Sequence, residues 1–359
     1  MKSLKGLIFL ILYLLFFTPG LFCQNFRNIS LKEGLPSARV LDFYQDHNSV
    51  LWIATYGGGL VKFDGVNFTV IQDAKDYSTL FARVIYRDKD STLLIGNSLG
   101  LYRYGHDKYQ KVPLLDSGFL DPYGSKMTYQ VSGIIKRKKD YFVLTSRGVI
   151  ELQNKKVIVY GFKPPYVFNN DIIEFENTIY ALSDNGLNIL DTKEKKITNL
   201  KLGINDLICR KALIYNDTLL IASNRGLLYI KNSKLIKIVN SATIPGFPND
   251  LTCIYASKTS HSLWLGFTSG VINYFPGGKF KILNKSNGLD NSAITCISED
   301  RNGSLIVASN TSGLYISKGN IFNNYDEKNG ITDQKVLSVQ QLNDSVLIFL
   351  TPDQLNAKN

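Results

Sequence analysis

Histidine is scarce in this 359-residue chain: His47, His106 and His261 are the three. None has a Ser, Cys or carboxylate partner at a spacing that a catalytic triad uses. Carboxylates such as Asp184, Asp206 and Glu299 carry no pattern that would pair them for hydrolysis. The run Gly57-Gly58-Gly59 lacks the following Lys-Ser/Thr and helix of a phosphate-binding loop, so it reads as a turn. Past Gln24 there is no apolar stretch of about 18 residues, which leaves no membrane span in the mature chain. Methionine and tryptophan number two each. No catalytic residue, metal site or cofactor is expected from what is missing.

The N-terminus stands apart. Lys2 and Lys5 precede an unbroken apolar run from Leu7 to Phe17, which Thr18-Pro19-Gly20 interrupts. This pattern reads as a secretory signal over residues 1–23, and export to the periplasm or another extracytoplasmic space follows. A lipid anchor on Cys23 would want a small residue where Phe22 stands. An uncleaved N-terminal anchor is the other alternative.

Cys209, Cys253 and Cys296 remain after the signal, an odd number that cannot all pair internally. Each lies 17 residues before a glycine of the repeat described below, which suggests similar places in three neighbouring units. With no His at a ligand spacing, they read as small apolar residues packed between sheets rather than as a metal site. The formal charge of +11 comes from 41 basic and 30 acidic residues that are mostly scattered. Lys136-Arg137-Lys138-Lys139 reads as a solvated turn, since no regular aromatic flanks make it a nucleic-acid surface. The net charge favours anionic ligands such as acidic polysaccharides without defining a site.

What the chain has in abundance is Tyr and Phe, 20 each, and Gly, 28, a mixture that favours strands and turns. One sentence recurs. LWIATYGGGLVKFDG (51–65) returns as LLIGNSLGLYRYG, FVLTSRGVIELQN, IYALSDNGLNILD, LLIASNRGLLYIKN, LWLGFTSGVINYF and LIVASNTSGLYIS. Gly59, Gly100, Gly148, Gly186, Gly226, Gly270 and Gly313 mark it at intervals averaging about 42 residues. In the first unit, strands are expected at 40–46, 51–55, 60–64 and 67–72, separated by turn formers. Trp52 and Trp264 hold equivalent second-strand positions and should wedge between neighbouring sheets.

A period of this length with four short strands per unit predicts an all-β chain, a seven-bladed β-propeller of four-stranded blades. Phe26-Arg27-Asn28-Ile29 before Glu33-Gly34-Leu35 matches Phe280-Lys281-Ile282-Leu283 before Asn287-Gly288-Leu289. The mature chain therefore begins with an outermost strand that completes the last blade and closes the ring. The propeller is expected over 24–321. Residues 322–359 read as a partial eighth repeat, the start of a second, truncated propeller, or else part of an eight-bladed ring.

The unit resembles the two-component regulator propeller repeat, whose pattern is a "GLP-S" start, an apolar strand ending in Asp, "LWIGT", a polar turn, then "GL-R-D". Glu33-Gly34-Leu35-Pro36-Ser37, Gln45-Asp46, Leu51-Trp52-Ile53-Ala54-Thr55 and Gly59-Leu60 carry it here. The resemblance spans about residues 25–355 and is weakest in units three and four. It implies the extracytoplasmic input region of a sensor from polysaccharide-degrading bacteria. Such sensors usually have two propellers, an immunoglobulin-like domain, a membrane helix and a kinase or DNA-binding output. No such output can be placed in these residues.

Binding is thus expected rather than catalysis: recognition of an oligosaccharide, or of a partner domain, in signalling. A free-standing exported scaffold is the alternative, and a propeller lyase or glycosidase a more remote one. In a propeller, the turns between second and third strands and the inter-blade connections share one face. The candidate ligand residues on that face are Tyr56, Arg147, Asp184, Asn185, Asn224, Arg225 and Asn310. The longest connection, from about His106 to Met127, carries Tyr109, Phe119 and Tyr123 as an aromatic lid suited to a sugar ring.

Overall fold

The computed structural model describes residues 26–72, 76–88, 92–106, 108–114, 129–153, 156–161, 168–317, 337–343, 346–352 and 355–358. The expected signal over residues 1–23 lies outside these, as do Phe119 and Tyr123.

Seven antiparallel four-stranded sheets form a β-propeller. Blade 1 contains, from the axis outward, Val40–Gln45, Leu51–Thr55, Gly59–Phe63 and Phe68–Ile71. The innermost strands of blades 2 to 7 are Ala82–Arg87, Val131–Arg137, Asn169–Phe175, Cys209–Tyr215, Leu251–Ala256 and Ile294–Glu299. Innermost strands of consecutive blades touch, and blade 1 touches blade 7. The ring closes as the repeat count requires: Phe26–Ile29 is the outermost strand of blade 7, with Phe26 opposite Ser317 and Ile29 opposite Leu314. Phe26–Ile29 is thereby stitched to the seventh repeat, which leaves blade 7 as complete as the others.

Second strands are buried on both faces because each sheet is covered by two others. Leu93–Asn97 and Leu305–Ser309 are buried at every position. The core consists of separate clusters between neighbouring blades. One joins Leu220, Ala222 and Leu227 of blade 5 to Leu251, Leu265 and Ile272 of blade 6. The two indoles wedge as expected: Trp52 packs on Tyr104 of blade 2, 5.6 Å between ring centres, and Trp264 donates to Glu299 of blade 7 at 3.0 Å.

The repeat glycine has a steric cause. A Cβ on Gly226 would stand 2.3 Å from the carbonyl oxygen of Val239, and one on Gly313 would stand 2.3 Å from that of Ile29. In blades 3, 5, 6 and 7 the outermost strand crosses directly over the start of the third strand and leaves a side chain no room, while Gly59, Gly100 and Gly186 are held to glycine by their positive φ. The residue that ends the second strand closes the turn. Hydroxyls of Thr55, Thr145, Ser183, Ser223 and Ser309 donate to the carbonyl of that glycine. Three of them also accept the N–H of Arg147, Asn185 or Arg225.

The "EGL" and "NGL" segments share a device too. Ser30 with Glu33, and Asn284 with Asn287, form capping boxes on one-turn 3-10 helices that end on left-handed Gly34 and Gly288. Leu35 and Leu289 then enter the core.

Every innermost strand carries a bulge near its start. Register slips between Val40 and Asp42, Ala82 and Val84, Val131 and Gly133, Asn169 and Asp171, Cys209 and Lys211, Leu251 and Cys253, and Ile294 and Cys296. This register corrects one expectation. Cys253 and Cys296 are equivalent, but their counterpart in blade 5 is Lys211, and Cys209 sits two residues earlier. Hairpin turns of different length between the first two strands hid the offset.

A second compact unit begins at Lys318. Its described strands, Ser338–Asn343, Val346–Leu350 and Leu355–Lys358, form an antiparallel three-stranded sheet.

Candidate functional site

A bulge leaves one residue unpaired and turns its side chain off the ladder. Here the extra residues are Leu41, Arg83, Ser132, Asn170, Arg210, Thr252 and Thr295, one per blade. All seven line a cavity of about 490 Å³ between the innermost strands. Contributions from all seven blades place it on the ring axis. Asp42, Lys211, Cys253 and Cys296, just past the bulges, line it as well, and Asn310 joins them.

The polar groups of this wall, set among apolar side chains such as Leu41, Leu213 and Ile254, are mostly self-satisfied. Asp171 pairs with Lys211 at 3.2 Å and accepts the N–H of Ala212 at 3.0 Å. Asp42 accepts the equivalent N–H, that of Ile85 in blade 2, at 2.9 Å. Burial pushes the Asp42 carboxyl up, with Lys211 opposing. Asp171 holds the Lys211 ammonium in its charged form, against burial. Arg210 pairs with Asp250 at 2.6 Å and donates to the carbonyl of Leu251 at 2.8 Å. Arg83 differs: its Nε is buried without a hydrogen-bond partner among the described residues. Burial, and then the Arg39 cation beside it, lower its pKa.

The turns between second and third strands do share a face with the inter-blade connections. The turn N–H of Tyr56, Ser98, Ser146, Asp184, Asn224 and Asn310 donates to the carbonyl just before the innermost strand of the same blade. Of the sequence-predicted residues, Asn310 lines the axial cavity. Tyr56 is 37% exposed, packs at a tilt against Phe81 with ring centres 5.0 Å apart and has the Arg39 guanidinium 4.5 Å over its ring. Asp184 stands one bond behind the cavity wall, accepting from Asn170 at 2.9 Å.

Asp184, Asn185 and Asn224 line a separate depression of about 580 Å³ with the connection 199–208. Asn224 there braces that connection, accepting from the Ile208 N–H and donating to the Asp206 carbonyl. Arg225 does the same through the carbonyl of Asn205 at 3.1 Å. Arg147 closes its own turn. These residues are therefore distributed over the face, and only Asn310 reaches the cavity itself.

Tyr109 is no part of a lid. It lies in Lys108–Val112, the outermost strand of blade 2, with its ring 5.2 Å from that of Tyr102. The expectation failed because the outermost strand starts two residues after His106, inside what looked like a connection. His47 and His106 line a groove of about 220 Å³ with Trp52 and Tyr104, and His261 lines another with Phe275. These positions follow first-to-second or third-to-fourth strand turns, the face opposite the second-to-third turns. Among the described residues no cluster of three His, Cys, Asp or Glu could hold a metal ion. In the basic run, Lys136 pairs with Asp88 at 2.7 Å and Arg137 with Glu174 at 2.8 Å.

Sequence reasoning missed the bulge residues. Their types vary from Leu to Arg, so no motif marks them, and only counting from the start of each innermost strand finds them.

Residues 34–57 match the family model described as two component regulator propeller, so the chain carries that repeat. Among solved structures, the extracellular domain assigned to a hybrid two component system of B. thetaiotaomicron superposes with a TM-score of 0.66 at 18% identity, over 91% of this chain and 44% of that one. A second such domain from that organism gives 0.66 at 19% identity, over 94% and 48%. A virginiamycin B lyase from Staphylococcus aureus gives 0.62 at 12% identity, over 81% and 98%. These likenesses show the fold. The chain spans less than half the length of the two extracellular domains. No curated protein matches it. No helix among the described residues is long and apolar enough to cross a membrane.

Proposed function

We propose that this chain is an exported ligand-sensing propeller of a two-component-type signalling protein, and that it recognises an oligosaccharide at the mouth of its axial cavity. The observation that carries the reading is an axial cavity into which Ser132, Asn170, Thr252 and Thr295 bring polar groups, in a ring that bears a two component regulator propeller repeat. Family repeat and fold together support a sensor, and the extracellular domains that share the fold are consistent with a signalling role outside the cytoplasm.

The wall mixes polar groups with apolar surface, as a sugar with its hydroxyls and its apolar ring face requires. Ser132, Asn170, Thr252, Thr295 and Asn310 supply donors and acceptors around one space. Tyr56 on Phe81 supplies an apolar ring face nearby. Small-molecule sites commonly combine a few convergent polar groups with such a surface. Nothing in the arrangement asks for a metal or cofactor. The partner side, a second propeller or signalling domains, belongs to the same proposal.

Thermal-shift screening of the exported chain against a panel of oligosaccharides tests it, with chromatography of each mixture after incubation. The reading expects a saturable rise in Tm for some members and no conversion of any. Conversion of a bound sugar into products would replace it with an enzymatic reading. A flat response across the panel would remove the sugar.

A further inference from the structure

Among the described residues, the cations that line the axial cavity are matched one by one except for Arg83. Lys211 has Asp171 at 3.2 Å, and Arg210 has Asp250 at 2.6 Å. Arg83 has no ion pair among the described residues, and its Nε is buried without an acceptor. The charge that acts on it is another cation, Arg39, whose guanidinium is laid over the Tyr56 ring at 4.5 Å. Arg39 also has no carboxylate partner among the described residues.

Burying a guanidinium with a donor unsatisfied, next to a like charge, destabilises a fold. Where a protein keeps such a feature at a cavity, binding is the usual return for the lost stability. The bulge at Ala82–Val84 turns the Arg83 side chain into the cavity. A planar guanidinium fork matches the two oxygens of a carboxylate.

We propose that the channel mouth is an oxyanion site: Arg83, with Arg39 beside it, takes a carboxylate of the ligand, and the Tyr56–Phe81 ring pair flanks the rest of the molecule. This deepens the sensing reading and rests on it, by giving the ligand a charge. A uronic-acid sugar and a simple organic acid share the chemistry, and the choice of probes separates them.

The test is titration calorimetry of the exported chain with glucuronate, glucose and acetate, repeated on Arg83→Gln. The expected result is glucuronate binding at least tenfold tighter than glucose, with Arg83→Gln erasing that margin. Acetate binding as tightly as glucuronate would support the oxyanion site and assign it to an organic acid. Equal affinities for glucuronate and glucose in both proteins would overturn the oxyanion site while leaving a sugar sensor standing. Binding of none of the three would also overturn it.

A second measurement needs no ligand. Removing an unmatched, half-buried cation should leave the Tm of Arg83→Gln unchanged or raised. A fall of several degrees would mean the guanidinium already has a structural partner, and would overturn the proposal independently of the sensing reading.

Discussion

Lys211 of blade 5 places its ammonium 3.2 Å from Oδ1 of Asp171 in blade 4, while Oδ2 of the same carboxylate accepts the Ala212 N–H at 3.0 Å. Blade 1 repeats half of this device, where Asp42 accepts the Ile85 N–H of blade 2 at 2.9 Å. The residue just past each bulge thus bolts one blade to the next wherever it is an aspartate. In blades 2, 3, 6 and 7 that residue is Val84, Gly133, Cys253 or Cys296, and no carboxylate is available.

Replacing Asp171 by Ala should therefore lower stability by about 2 kcal/mol, because it strands both a lysine and a backbone N–H. The Lys211 side chain keeps 39% of its exposure against 10% for Asp171, so solvent in the channel screens part of the charge loss. Denaturant titration checks it. A double-mutant cycle with Lys211→Met should return a coupling below the single Asp171 effect, since the N–H stays unmet.

Asp42 gives stability a pH dependence of defined sign. Burial raises its carboxyl above the ordinary 3.8, although Lys211 and the Ile85 N–H pull it down. A carboxyl raised in the fold holds its proton more firmly there than in the unfolded chain. Its contribution is complete below the ordinary value and is lost as pH rises through the folded one. Asp42→Asn cannot titrate and can still accept from Ile85. Its Tm should gain on the parent as pH rises above about 4, with no gain near pH 3. Glu33, held low by the Ser30 hydroxyl, and Asp64, held low by the Asn67 N–H, act in the opposite direction: their contribution is lost as pH falls. Scanning calorimetry across pH separates the two behaviours.

The cysteines should be chemically quiet in the native protein. Burial pushes Cys209 and Cys253 up to about 12, and Cys296 well above the ordinary 9.0. Reactivity belongs to the thiolate. Iodoacetamide near pH 8 should label none of the three on the timescale that labels all of them in denaturant. Rapid native labelling of Cys296 would contradict the packing described here.

Ring closure is open to a local test. Ile29 is 1% exposed and lies opposite Leu314 in blade 7. Ile29→Ala should destabilise by about 2–4 kcal/mol. Gly313→Ala would drive a methyl to within 2.3 Å of the Ile29 carbonyl. Both changes loosen the same strand, so the double variant should lose less than the sum of the two in urea titration.

Much of this architecture was legible in the chain. The repeat glycine and the Phe26–Ile29 segment each announced their place because one local geometry restricts the residue type, whereas the hydroxyls that close the turn in five blades were not singled out. The cavity was hidden for the converse reason. A bulge fixes backbone geometry and leaves the side chain free, so Leu41, Arg83, Ser132 and Asn170 share a position without sharing chemistry. Turn residues misled in the same way: Asn224 and Arg225 look like ligand donors, but their hydrogen bonds brace the connection 205–208. Tyr109 looked like a loop aromatic because its strand is short and follows His106 at once.

The central claim is that ligand enters at the face of the second-to-third strand turns. Hydrogen-exchange mass spectrometry of the exported chain with oligogalacturonides, read peptide by peptide, tests it most directly. The account predicts added protection in peptides covering 54–58, 80–85 and 308–312, with none around His47, His106 and His261. Protection confined to the histidine-bearing turns would put the site on the opposite face and contradict the account.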